Sequence, residues 1–190
     1  MPRLIKDGAI VDDRWTLLRD AASVADIPRT PAIVPLTLWL AEREALRARG
    51  DVAVWLAPHE EPALIASDCA ALPLVAIDFP QFTDGRGYST ARLLRERYGF
   101  AGELRAIGDV LRDQLCYLSR CGFNAFAVRG DRDLEAALEG LSDFTDSYQA
   151  TVRQPIPLFR RRFAAVEGMH ARDTMGSGDS AAREAAALAR

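Results

Sequence analysis

A chain of 190 residues, 49% apolar and 27% charged, is long enough for one domain with a full core. Its formal charge of −3 offers no broad basic field, so neither nucleic acid nor a membrane surface is expected as a partner, and any anion site has to be local. Lys6 is the sole lysine among 24 Lys and Arg residues and His59 and His170 are the two histidines, so no Schiff-base lysine, Gly-Lys phosphate loop, zinc site or Ser-His-Asp triad is expected.

The opening Met1-Pro2-Arg3-Leu4-Ile5-Lys6-Asp7-Gly8 lacks the apolar run of a secretory signal, and no later stretch approaches the roughly 18 apolar residues of a membrane span, so the cytoplasm is the expected compartment. Short β-rich runs then alternate with amphipathic ones. The pattern predicts strands at Trp15–Leu18, Ile33–Leu36, Val52–Leu56, Leu74–Phe79, Glu103–Ile107 and Phe123–Val128. Between them it predicts helices at Thr37–Arg49, Glu61–Ser67, Ser89–Tyr98, Asp109–Arg120 and Arg132–Leu141. Repeated βα units of this spacing form a parallel sheet or a partial (β/α) barrel, and the length is too short for eight full units. A single α/β domain is expected over residues 1–165, with 166–190 a disordered or weakly helical tail rich in alanine and small polar residues. Cys69, Cys116 and Cys121 are odd in number and without paired spacing, which reads as reduced thiols.

In a parallel sheet the loops after the carboxyl ends of strands bind ligands, which singles out the run from Asp78 to Arg92. Here Gly85-Arg86-Gly87 can turn backbone N–H groups inward. With Ser89 at a helix start and the guanidinium groups of Arg86 and Arg92, they can hold an oxyanion such as sulfite, sulfate or phosphate. The plainer reading is a tight turn that Ser89 or Thr90 caps. Glu103 and Arg105 share one face of a strand that should be buried, so a polar network of Asp78, Glu103, Arg105 and Asn124 is expected, structural or catalytic. Asp109 is placed to cap a helix whose first turn carries Arg112, Asp113 and Gln114. Asp78, Glu103 and Asp109 are the candidate general bases, Asp84, Arg105, Arg112, Asp113 and Gln114 their supporting groups, and Asp78, Asp84 and Asp109 together could ligate Mg²⁺.

The runs Phe79–Ser89, Gly102–Gln114 and Arg120–Phe123, with the closing Pro157-Leu158-Phe159-Arg160-Arg161, resemble a bacterial family of unknown function whose members are described as oxidoreductases involved in sulfite reduction. The resemblance spans about Ile33 to Arg162 and departs at Asn124, where an acidic residue is the expectation. Membership implies genes beside sulfite or nitrite reductase and so a part in assimilatory sulfite reduction; it transfers no catalytic residues. No dinucleotide fingerprint or cysteine set for a cluster accompanies it, which leaves the cofactor open. The expected function is therefore an accessory of sulfite reduction with an oxyanion-binding or reductase-docking surface, sulfite reductase being the partner. The rivals are an independent partial-barrel enzyme acting on a small anion and a non-catalytic scaffold.

Overall fold

The computed structural model describes residues 2–163, so the tail expected at 166–190 lies outside the described residues. The chain divides after Thr145 into two compact units. The first holds eight strands: β1 (Arg3–Lys6), β2 (Ala9–Asp12), β3 (Thr16–Leu17), β4 (Ala32–Pro35), β5 (Val52–Leu56), β6 (Leu74–Phe79), β7 (Glu103–Gly108) and β8 (Ala125–Phe126). Its helices are α1 (Leu36–Ala41), α2 (Arg43–Arg49), α3 (Arg86–Glu96), α4 (Arg112–Arg120) and α5 (Leu134–Glu139), with a 3₁₀ segment at Pro62–Asp68. In the second unit, the Leu158 N–H donates to the Tyr148 carbonyl, and Arg161 pairs with Asp146.

All eight strands form one sheet in the order β2-β1-β8-β7-β6-β5-β4-β3, in which β3 to β8 run parallel and in sequence. This is the predicted run of βα units, and the sheet curls into a half-barrel. The link from β2 to β3 shows why it must. Laid flat, the two edge strands would stand about 34 Å apart at a strand spacing of about 4.8 Å. The chain from Asp12 to Thr16 reaches about 14 Å at most, so the edges are drawn together and Asp13–Trp15 straps them across the concave side.

Strand alternation sorts the side chains between two faces. On the convex face Val54, Val75, Ile77, Leu104 and Phe126 pack beneath Ala91 and Leu94 of α3 and Leu115 and Leu118 of α4. The concave face carries a smaller apolar cluster, Ile33, Ala53, Leu74, Ala76 and Ile107, against Trp15, Leu17 and Trp55.

Helix boundaries differ from expectation in ways that move the site. Helix α3 begins at Arg86, not Ser89, because Asp84 Oδ1 accepts the Arg86 N–H and starts the turn. Gly87 thus lies inside the helix, where a Cβ would stand 2.6 Å from the Phe79 ring; the glycine lets α3 settle on β6. The helix predicted from Asp109 begins at Arg112, with the Gln114 side chain accepting the Leu111 N–H. The single helix predicted at Thr37–Arg49 is broken at Glu42.

The hairpin β1–β2 was not among the predicted elements. Asp7 and Gly8 both take positive φ (50° and 81°), as two-residue hairpin turns require, and β1 pairs antiparallel with β8. Lys6 therefore belongs to the sheet and is no loose terminal residue; its ammonium lies 2.8 Å from Glu103 Oε2.

Candidate functional site

The carboxyl ends of β6 and β7 open on a cavity of about 440 Å³ lined by Arg19, Asp78, Phe79, Pro80, Gly108, Asp109 and Arg129. Each charged member arrives by a separate route. Arg19 follows β3: Trp55 Nε1 donates to the Leu18 carbonyl, and the Arg19 guanidinium lies 5.7 Å from the Trp55 ring centroid. Asp78 is the penultimate residue of β6 and only 7% exposed; its Oδ1 accepts from Arg19 Nη2 at 2.9 Å. Asp109 follows β7 directly. Arg129 follows β8, where its N–H donates to the Val110 carbonyl, and its Nη1 donates to Asp109 Oδ1 at 2.8 Å. The Asp131 and Asp109 carboxylates, in that order of weight, hold the Arg129 guanidinium firmly protonated, and Arg129 in turn keeps the Asp131 carboxyl below the usual range.

Gly108 makes this close assembly possible. Its φ is 95°, and a Cβ there would stand 2.4 Å from the Phe79 carbonyl oxygen and 2.8 Å from Asp78 Oδ1. The tight turn allows the Asp109 N–H to donate to the Phe79 carbonyl at 2.7 Å. Asp109 was expected as a helix cap; instead its Oδ2 accepts the Phe82 N–H, while Gln114 Nε2 donates to the Phe82 carbonyl. Asp109 and Gln114 thereby fasten the loop after β6 from both sides.

The other expected members lie elsewhere. Arg86 is exposed and forms a two-pronged pair with Asp84, whose carboxyl it holds below the usual range chiefly through those hydrogen bonds. Arg92, also exposed, donates to Glu96 one turn onward rather than sharing a pocket with Arg86. Gly85 has an ordinary helical φ of −88°, Gly87 is packed on Phe79 and Ser89 is exposed, so the residues from Gly85 to Arg92 do not converge as a cradle. Arg112 turns to the Ala136 carbonyl and Asp143, and with Asp113 it lines a different cavity of about 310 Å³ beside Arg132 and Asp133.

The expected network of Asp78, Glu103, Arg105 and Asn124 does not form as one; of its links only Glu103–Arg105 is present, and Asp78 stands apart with Arg19. Asp78 is paired in register with Ile107 and Glu103 with Leu74, which sets the two carboxylates about 13 Å apart along the sheet. Glu103 is bound instead to Lys6 and to Arg105, and Arg105 Nη1 reaches Asp13 Oδ2 at 2.9 Å, giving a chain Lys6–Glu103–Arg105–Asp13 across the concave face. Asn124 belongs to neither set; its Oδ1 accepts the Leu104 N–H and its Nδ2 donates to Asp7. With Asp84 turned to Arg86, the three carboxylates considered for Mg²⁺ do not meet, and among the described residues no group of three or more His, Cys, Asp and Glu is placed to hold a metal ion. Nor is any described helix long and apolar enough to cross a membrane.

Sequence reasoning missed Arg19 and Arg129. Both stand within three residues of the carboxyl end of a strand, at the same level as Asp78 and Asp109, so applying the strand-end rule to every strand would have found them.

These features define a parallel α/β half-barrel with a cavity at the carboxyl ends of its strands, edged by charged side chains. The chain belongs to a family of bacterial proteins of unknown function (DUF934), whose model matches residues 53–159, more than half of the sequence. The matched span contains Asp78, Asp109 and Arg129, while Arg19 precedes it. No curated protein and no solved structure matches the chain.

Proposed function

We propose that the protein is an accessory of assimilatory sulfite reduction that holds a small oxyanion between Arg19 and Arg129 at the carboxyl ends of β6 and β7. The observation that carries this reading is the meeting of two guanidinium groups, from the ends of β3 and β8, in one cavity beside a nearly buried carboxylate. Arginine is suited to the task because its planar donors can serve a carboxylate and an oxyanion at once. Arg19 shows the spare capacity: its side chain is 44% exposed and, among the described residues, makes a single side-chain hydrogen bond, to Asp78. The link to sulfite rests on the resemblance of the runs 79–89 and 102–114 to the sulfite-reduction family. A reductase-docking role for the neighbouring surface is the second reading, favoured by Phe82 and Tyr117, which are 44% and 55% exposed.

Trp55 lies beside Arg19 and supplies a fluorescent reporter. Sulfite titrated into the protein is expected to change its tryptophan emission saturably, and Arg19→Ala or Arg129→Ala to weaken binding by about tenfold or more, the weight of a charged hydrogen bond. Turnover of the matching sulfite reductase with its electron donor should rise in the presence of the wild-type protein and less with either variant. Absence of both binding and any effect on turnover rejects the proposal.

A further inference from the structure

The charges around the cavity balance: Arg19 and Arg129 against Asp78 and Asp109, with Asp131 behind Arg129. Such a site has no surplus positive charge, so a ligand that brings a hydrogen-bond donor of its own gains over one that brings only negative oxygens. Its acceptors are also unequal. Asp109 uses both oxygens, Oδ1 for Arg129 and Oδ2 for the Phe82 N–H. Asp78 uses Oδ1 for Arg19, while among the described residues its Oδ2 accepts no hydrogen bond, although the residue is only 7% exposed and lines the cavity. A carboxylate oxygen in that position repels a fully deprotonated oxyanion and binds strongly to an O–H.

Building on the reading of this cavity as an oxyanion site, we infer that it selects oxyanions that carry a proton, Asp78 Oδ2 accepting the ligand's O–H while Arg19 and Arg129 hold its charged oxygens. The ligand class is then hydrogen sulfite or a hydrogen phosphate, and sulfate, which carries no proton near neutrality, is refused. Missing one charged hydrogen bond, and facing repulsion in its place, sulfate should bind at least about tenfold more weakly than phosphate. Asparagine at position 78 presents an amide N–H where the carboxylate oxygen was, and so should admit sulfate.

Three probes test this on the whole protein by calorimetry: inorganic phosphate, which keeps a proton across the neutral range; sulfite, which loses its only one as the pH rises through neutrality; and sulfate. Wild type should bind phosphate on both sides of neutrality, sulfite on the acid side with loss on the alkaline side, and sulfate poorly throughout. Asp78→Asn should bring sulfate to within about threefold of phosphate. Wild type binding sulfate as tightly as phosphate overturns the inference and leaves the oxyanion reading standing. Failure of all three ions to bind overturns the oxyanion reading itself. Because the wild-type series alone decides between these results, the outcome does not hang on how well Asp78→Asn folds.

Discussion

The two ends of strand β7 carry charged groups of similar kind and treat them in opposite ways. At the amino end Glu103 and Arg105 are 8% and 3% exposed and line a cavity of about 420 Å³ with Lys6 and Asp13, yet each is already matched to two partners in the chain Lys6–Glu103–Arg105–Asp13. At the carboxyl end Asp109 and its neighbours surround a cavity, with half-exposed guanidinium groups and one carboxylate oxygen without a donor. Charges that satisfy one another fix a sheet; charges left with spare hydrogen-bonding capacity around a cavity can act on a ligand.

The largest effect is expected at the amino end of β7. Arg105→Ala removes the cation between the mostly buried Glu103 and Asp13 carboxylates, and is expected to destabilise the protein by about 3–5 kcal/mol in urea unfolding. A loss under about 1 kcal/mol would show that the network is solvated and idle. A somewhat smaller effect is expected from Gly108→Ala at the other end, about 1–3 kcal/mol from the left-handed backbone and the crowding against Phe79, together with loss of anion binding as the Asp78 and Asp109 carboxylates shift. Retained binding with lowered stability would separate the turn from the cavity.

The smallest effect belongs to the exposed pair outside both ends. Arg86→Ala should leave both stability and anion binding essentially unchanged. Its signature is instead the Asp84 titration in an NMR pH series. The Asp84 carboxyl is held below its ordinary value, so its pairing contributes above the ordinary carboxylate pKa and fades as the pH falls through the lowered one. Removing Arg86 should return the midpoint upward; an unmoved midpoint would mean that the pair does not persist in solution.

The sequence was most legible where strands are buried on both faces. Val52–Leu56 and Leu74–Phe79 lie where their apolar runs, broken only by Asp78, place them, because little competes with such a run between two glycine- or proline-marked turns. Short edge elements were harder. The Asp7-Gly8 hairpin is flanked by strands of four residues each, too few for periodicity to reveal, although the dipeptide itself was a turn signal. Around the candidate cavity, Asp78 and Asp109 were named from their position at strand ends, whereas the Gly85-Arg86-Gly87 turn stood out more than Arg19 and Arg129. A glycine-flanked arginine looks the same whether its glycine faces a ligand or, as Gly87 does, an aromatic ring beneath the helix. Only the register of α3 on β6 separates the two.

The pairing of β1 with β8 also sets an order of events when the chain is made. Strands β3 to β8 each add to a neighbour that has just been synthesised, whereas Ile5 meets Phe126 only after nearly the whole first unit has emerged. The β1–β2 hairpin, made before the other strands, is therefore the last to dock, and with it Lys6 reaches Glu103 late. Until then β8 presents an open edge and the charged face of β7 lacks its lysine, so the half-built sheet is most exposed to mispairing just before the β1–β2 hairpin returns.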